Sequence, residues 1–96
     1  MTKADIVSRL SEKLGMEKGD VQATVESFMD EVQNSLENGD NVYLRGFGSV
    51  IIKRRAEKTD RNISKNPTIK IPAHNIPAFK PAHVFIESVK DNVVVD

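Results

Sequence analysis

Apolar residues recur every three or four positions near the start of the chain, which is the spacing of one face of a helix. The residues at this spacing are Ile6, Val7, Leu10 and Leu14. Thr2 followed by Asp5 has the form of a capping box, and Gly15 is a residue type at which helices commonly end. The pattern therefore predicts a first helix over about residues 3–14.

A second apolar stripe follows after a short gap. Its members are Val21, Val25, Phe28, Met29, Val32 and Leu36. Their period predicts a helix of about five turns that ends near Gly39. The opposite face is acidic, with Glu26, Asp30, Glu31 and Glu37. At this spacing Phe28 and Met29 are expected to pack against other elements rather than to line a ligand pocket. Residues 3–38 should therefore form a two-helix base.

After residue 40 the apolar residues recur at every second position, which is the period of a strand. Val42 and Leu44 lie on one face of a first strand, and a turn at residues 46–48 leads into a long second strand. Residues 69–71 alternate in the same way and belong to a third strand. The predicted antiparallel sheet covers residues 41–82.

Helical spacing returns at residues 83–91, and residues 91–96 form a tail. The order of elements predicts an α+β fold with a two-helix base, a three-stranded antiparallel sheet and a short C-terminal helix.

The joined ends of the second and third strands are too polar to be buried. We expect residues 55–70, approximately, to form a two-stranded β-ribbon arm that projects into solvent. An isolated ribbon is marginally stable in water, so such an arm should become ordered when it contacts a partner.

Charge is divided between the two halves of the chain, although the whole chain has no net charge. Residues 1–44 contain nine acidic and four basic side chains, a net charge of −5. Residues 45–90 contain ten basic and three acidic side chains, a net charge of +7. This asymmetry favours a polyanionic partner for the basic half, and a chance division over a solvated surface is the alternative.

The arm and its root are rich in residues that suit a DNA groove. They contain Lys53, Arg54, Arg55, Lys58, Arg61, Lys65 and Lys70. Basic groups on a ribbon can match the phosphate spacing of a duplex, and architectural proteins place such ribbons in the minor groove. Ile63 lies beside Arg61 and Asn62, which suit minor-groove acceptors. We expect Ile63 to act as a wedge between base pairs, and packing on the arm's own surface is the alternative.

Four motifs, in their order and spacing, give the chain a resemblance to a known family. The motifs are RGFGSV, RRAEKTDRN, IKIPA and PAFKP. Together they resemble the bacterial HU/IHF family of histone-like DNA-bending proteins over residues 1–90. The resemblance implies an intertwined dimer, formed by two identical chains or by a chain and a close paralogue. Two-helix bases lie below a saddle of strands, and two arms embrace the minor groove of double-stranded DNA.

The resemblance also implies roles for individual residues. In the family, the residue after the Arg-Asn pair is typically a proline that intercalates, and here that position is Ile63. Lys65 and Asn66 stand where the family usually has a Thr-Gly turn. The predicted DNA-binding set is Lys3, Arg45, Lys53, Arg54, Arg55, Lys58, Arg61, Asn62, Ile63, Lys65, Asn66, Lys70 and Lys80. The predicted dimer core is Phe28, Val32, Leu36, Leu44, Phe47, Val50, Phe79 and Phe85.

Enzymatic function is not expected from this sequence. The chain has no cysteine, and its two histidines, His74 and His83, do not have a metal-binding spacing. We therefore expect no cofactor, metal or catalytic residue. We see no signal peptide and no bilayer-spanning stretch, so we expect a cytoplasmic, nucleoid-associated protein that does not enter a membrane. Two alternatives use the basic arm differently: an RNA-binding module, or a protein-interaction module that adds a strand to its partner.

Overall fold

The computed structural model describes residues 1–60 and 69–95 of the 96-residue chain. Its elements, in chain order, are α1 (Lys3–Leu14), α2 (Lys18–Glu37), β1 (Val42–Leu44), β2 (Gly48–Arg55), β3 (Lys58–Asp60), β4 (Ile69–Ile71), β5 (His74–Pro81) and α3 (His83–Asn92). The predicted α+β arrangement, with a two-helix base, an antiparallel sheet and a short third helix, is confirmed.

Helix α1 begins at the predicted capping box. The Asp5 backbone N–H donates to the Thr2 hydroxyl over 3.2 Å, and the Thr2 backbone N–H donates to the Asp5 carboxylate over 2.9 Å. These hydrogen bonds lower the pKa of Asp5, because they stabilise its charged form. Helices α1 and α2 then pack together, and each has one buried valine, Val7 in α1 and Val21 in α2, which are only 3% exposed.

The three-stranded sheet has the order β1-β2-β5, and both pairings are antiparallel. Its tightest point is Gly48, where a β-carbon would lie 2.6 Å from the Lys80 carbonyl oxygen and 2.7 Å from the Phe79 ring. Only glycine fits there, because real β-carbons do not approach other atoms so closely. The absence of a side chain at Gly48 therefore lets the Phe79 ring approach the backbone of β2 closely.

The predicted long strand pair is divided into two parts. Strands β3 and β4 form a separate two-stranded ribbon, and Lys58, Thr59 and Asp60 pair with Ile71, Lys70 and Ile69. Residues 56–57 and 72–73 lie between the sheet and the ribbon and are not in strand conformation. Pro72 explains one side of this break, since it has no N–H to donate to a neighbouring strand.

Few side chains are buried within the described part of the chain. Val7 and Val21 are the apolar residues that are buried there, whereas Phe28 and Phe47 are each 51% exposed. After α3 the tail is extended, and Val94 and Val95 are almost fully exposed. The folded chain thus leaves much of its apolar surface open to a partner.

Candidate nucleic-acid interface

The register of the sheet assigns each side chain to one of two faces. We call them the outer face and the inner face. Tyr43, Ser49 and Lys80 lie in one row across the three strands, because Ser49 pairs with both of the others. Lys53 and Arg55 follow Ser49 at intervals that keep them on the same face. This outer face therefore gathers three of the predicted DNA-binding cations, Lys53, Arg55 and Lys80, all of them exposed.

The inner face is apolar between β1 and the middle of β2. Its rows place Val50 between Val42 and Phe79, and Ile52 opposite Pro77. Helix α2 lies along this face, and an open groove of about 510 Å³ separates them. Val32 and Leu36 of α2 and Val50 of β2 line the groove. These three predicted dimer-core residues are therefore brought together.

Arg54 does not lie with the other basic residues of β2. It pairs with Asn75, one residue out of step with Lys53 and Arg55, so its side chain starts from the inner face. Adjacent arginines in the motif RRAEK consequently project to opposite sides of the sheet.

The ribbon also divides its lysines between two faces. Lys58 pairs with Ile71, whereas Lys70 pairs with Thr59 on the other face. The Lys70 ammonium lies 3.6 Å from the Glu57 carboxylate, and the Lys70 side chain is 76% exposed. Exposed ion pairs of this kind contribute little stability, so Lys70 can exchange Glu57 for a phosphate at small cost.

A cleft of about 350 Å³ lies at the β1–β2 turn, at the end of the sheet far from the ribbon. Arg45, Lys80 and His83 contribute basic side chains to its lining, and Tyr43 forms part of its wall. The His83 imidazole lies 3.7 Å from the Glu87 carboxylate, one helical turn along α3. Arg45 and Lys80 were predicted from the sequence, whereas Tyr43 and His83 were not. Tyr43 could have been identified from its position two residues before Arg45, in a strand whose residues alternate between half-buried and exposed.

Lys3 lies in the helical base and is already paired. Its ammonium is 2.7 Å from the Glu26 carboxylate, which joins the start of α1 to α2. The hydrogen bond and the charge of Lys3 lower the pKa of Glu26, and a hydrogen bond from Gln22 adds to this effect. The structure therefore places Lys3 with an acidic helix rather than with the cations of the sheet.

The predicted arm tip lies outside the described residues. This applies to Arg61, Asn62, Ile63, Lys65 and Asn66, which stay predictions.

Three aromatic rings form a cluster where the sheet meets α3. The Phe47 ring centroid lies 5.1 Å from that of Phe79 and 5.5 Å from that of Phe85. Phe79 is nevertheless 45% exposed. A shallow apolar groove of about 440 Å³ runs beside it and is lined by Phe79, Phe85 and Val89. Such a half-covered aromatic cluster is typical of a surface that another subunit completes.

Neither a metal centre nor a membrane span is found among the described residues. Within residues 1–60 and 69–95, no three His, Asp or Glu side chains come together as potential metal ligands. None of the helices in these ranges combines the length and the apolar character needed to cross a bilayer.

The family model described as "Bacterial DNA-binding protein" matches residues 1–90. The chain belongs to this family. The match confirms the resemblance that the four sequence motifs indicate, and it covers the helical base, the sheet, the ribbon and most of α3.

Two curated members of the family are similar to the chain over nearly its whole length. DNA-binding protein HU of Thermus thermophilus is 38% identical over 90 residues, which is 94% of this chain and 93% of the relative. Integration host factor subunit alpha of Aliivibrio salmonicida is 37% identical over 91 residues, which is 95% of this chain and 93% of the relative. The chain is thus about equally similar to the HU and the integration host factor branches.

Solved structures of family members have the same fold. The chain superimposes on HU in an Anabaena HU–DNA cocrystal structure with a TM-score of 0.86 and 31% sequence identity. The match covers 93% of this chain and 97% of the other. HU from Thermotoga maritima, at 24% identity, has a TM-score of 0.65. The arrangement of helices, sheet and ribbon is therefore the HU fold.

Proposed function

We propose that the protein is an architectural DNA-binding protein that binds the minor groove of duplex DNA as a dimer and bends the duplex. Phosphate contacts supply the affinity, and the shape and deformability of the DNA supply any selectivity. The HU and integration host factor relatives and the HU–DNA neighbour support this proposal.

The observation that carries the proposal is the difference between the two faces of the sheet. The outer face presents Lys53, Arg55 and Lys80, and the ribbon that extends beyond it carries Lys58 and Lys70. A duplex presents one negative charge per ~1.7 Å of its axis, so exposed cations along the sheet and on the ribbon can each find a phosphate within reach.

The exposed apolar surface supports the dimer. The chain has 8321 Å² of accessible surface, whereas a compact monomer of its mass would have about 5,500 Å². The extended ribbon contributes part of the excess. Phe28 in α2, Phe79 in β5 and Phe47 in the turn between β1 and β2 lie away from the ribbon, however, and they are the kind of residue that subunit interfaces cover. The partner in this proposal is a second copy of the chain or a close paralogue.

Bending follows from the arm in this proposal. The ribbon enters the minor groove, and Ile63 inserts between two base pairs and unstacks them. Support comes from the apolar character of Ile63, its place after Arg61 and Asn62, and the use of isoleucine as a wedge by minor-groove proteins.

The proposal assigns no catalytic role to any residue. The family model and the HU relative are named as DNA-binding proteins, and binding and bending a duplex requires no bond to be made or broken. A location in the cytoplasm, on the nucleoid, follows from DNA binding in a bacterial family.

The test is a binding titration with a duplex that carries a fluorophore at each end, repeated across a salt series. We expect tight binding that weakens steeply with salt, because counterions are released, together with a shortened end-to-end distance. Binding without shortening would remove bending from the proposal. Absence of binding at low salt would overturn the proposal and favour a protein partner for the basic surface.

The wedge is tested separately by Ile63→Ala. This variant keeps the basic side chains that contact phosphates, so we expect most of the affinity for the duplex to be kept and the bend angle to decrease. Arg61→Ala is the matched control at the arm, since it should reduce affinity and the salt dependence. If Ile63→Ala bends the duplex as the wild type does, Ile63 is not the wedge.

A further inference from the structure

Tyr43 is an exposed aromatic residue that none of the roles described above explains. Its side chain is 73% exposed, although it lies in a strand whose neighbours Val42 and Leu44 are half-buried. It stands on the outer face in the row that leads through Ser49 to Lys80. An amphipathic ring in this position has an apolar body and a hydrogen-bonding tip on the same basic surface.

The Tyr43 hydroxyl is held by Asn41. The Asn41 side-chain oxygen accepts a hydrogen bond of 2.9 Å from the Ile52 backbone N–H. Because a backbone N–H can only donate, the atom beside it must be the amide oxygen, and this fixes the orientation of the amide. The amide nitrogen then faces the Tyr43 hydroxyl oxygen at 3.3 Å.

This arrangement leaves the hydroxyl proton of Tyr43 free. The Asn41 amide donates to the hydroxyl oxygen, so the hydroxyl itself is available as a donor toward solvent. A hydroxyl that already accepts one hydrogen bond is a better donor in the next. The ligand that it suits is therefore an acceptor, and an anionic oxygen gives the strongest bond.

The surroundings of Tyr43 favour an anion. The cleft beside it is lined by Arg45, Lys80 and His83, and no acidic residue of the described ranges is in its lining, although Glu87 lies 3.7 Å from His83. Tyr43 and Lys80 are two strand spacings apart, about 10 Å, which is about three phosphate spacings along one strand of a duplex. A duplex whose phosphate rests on Lys80 would consequently also cover Tyr43.

We propose that Tyr43 is a DNA-contacting residue, whose hydroxyl, oriented by Asn41, donates a hydrogen bond to a phosphodiester oxygen at the turn end of the sheet. The inference rests on the proposed DNA binding and deepens it. It gives the outer face an anchor about 20 Å from Arg55 along β2, at the opposite end from the ribbon.

The sequence provides a direct probe, because Tyr43 is the chain's single tyrosine. Protein made with fluorotyrosine should show one fluorine resonance, and Tyr43→Phe assigns it by its absence. We expect a short duplex, added at constant protein concentration, to shift this resonance. The same duplex should bind Tyr43→Phe about threefold to tenfold more weakly, as expected for loss of one hydrogen bond. Thr24→Val is the matched control, because it removes a hydroxyl from the acidic helix α2 and should leave the affinity unchanged.

The outcomes separate the two proposals. If the wild type does not bind the duplex, the proposed function fails and the inference fails with it. If the wild type binds but the resonance does not move, or Tyr43→Phe binds as well as Thr24→Val, the inference alone is overturned. A resonance that moves on protein dilution and is unaffected by DNA would assign Tyr43 to the subunit interface instead, which also overturns it.

Discussion

The inner and outer faces of the sheet are built from the same three strands, but they expose different chemistry. The inner face presents Val50, Ile52 and Phe79, which need a second apolar layer. The outer face presents Lys53, Arg55 and Lys80, which need an anion. Because successive side chains alternate, a shift of one residue in register would exchange the two sets. Register is therefore the feature of the fold that separates the dimer-forming surface from the DNA-binding surface.

The largest effect is expected from filling the close contact at Gly48. Gly48→Val would push a side chain into the Lys80 carbonyl and the Phe79 ring, and should lower the free energy of unfolding by about 3 kcal/mol. Urea denaturation followed by circular dichroism measures the change. Gly19→Ala is the control, because an added β-carbon there meets nothing within 4 Å and should stabilise helix α2 slightly. An unchanged urea midpoint for Gly48→Val would show that the sheet does not depend on this contact.

The next effect concerns the partner that covers the inner face and its aromatic cluster. Phe79→Ala should lower the free energy of unfolding by about 2–3 kcal/mol per protomer if a second subunit buries the ring. The decrease should be roughly half as large if the ring stays as exposed as in the single chain. Thermal unfolding at several protein concentrations distinguishes the two cases, because only a dimer has a midpoint that depends on concentration. Val84→Ala, at a position 64% exposed, is the control and should change little.

A sharper comparison uses two neighbouring arginines. Arg55→Gln should weaken duplex binding about fivefold and reduce the salt slope by about 1, because one phosphate contact is lost. Arg54→Gln removes the same charge from the inner face and should have a smaller effect on both quantities. Titrations at four salt concentrations measure the slopes. Equal slopes for the two variants would mean that the register does not decide which arginine contacts DNA.

The smallest effect is expected from releasing Lys3. Glu26→Gln removes its partner and should strengthen duplex binding about twofold, since Lys3 no longer has to leave an ion pair. The pKa of Glu26 is lowered in the folded chain, so the ion pair is intact at neutral pH and is lost as pH falls through that lowered pKa. Glu31→Gln makes the same charge change on α2 without an ion pair among the described residues. Identical affinities for the two variants would show that only the overall charge matters.

Much of the fold could be predicted from the pattern of the sequence. The capping box of Thr2 and Asp5, the stripe along α2 and the alternation around Val42 each depend on neighbours that are close in sequence. The resemblance to the family supplied the placement of a saddle of strands above the helical base. The sequence did not predict the break between sheet and ribbon. Residues on both sides of 56–57 have the alternating pattern of a strand, and only Pro72 indicates an interruption.

The site was predicted less completely, and the reason is its dependence on pairing between strands. Basic composition identifies Lys53, Arg54 and Arg55 alike, whereas the register with β5 separates Arg54 from the other two. Tyr43 was missed because its proposed role depends on neighbouring Asn41, Ile52 and Lys80. The pattern of the sequence alone does not show that these residues come together. Lys3 was predicted as a DNA contact from the resemblance, but its existing bond to Glu26 is a tertiary feature.

The break at residues 56–57 and 72–73 also divides the β-structure into two cooperative units. The described part of the ribbon, which has three paired residues on each strand, is separate from the sheet and can open its hydrogen bonds without disturbing strands β2 and β5. Amide protons that bond across the ribbon should consequently exchange with solvent through local opening, and those in the centre of β2 only through global unfolding. A duplex that holds the ribbon closed would then add protection to a part of the molecule that contributes little to its overall stability.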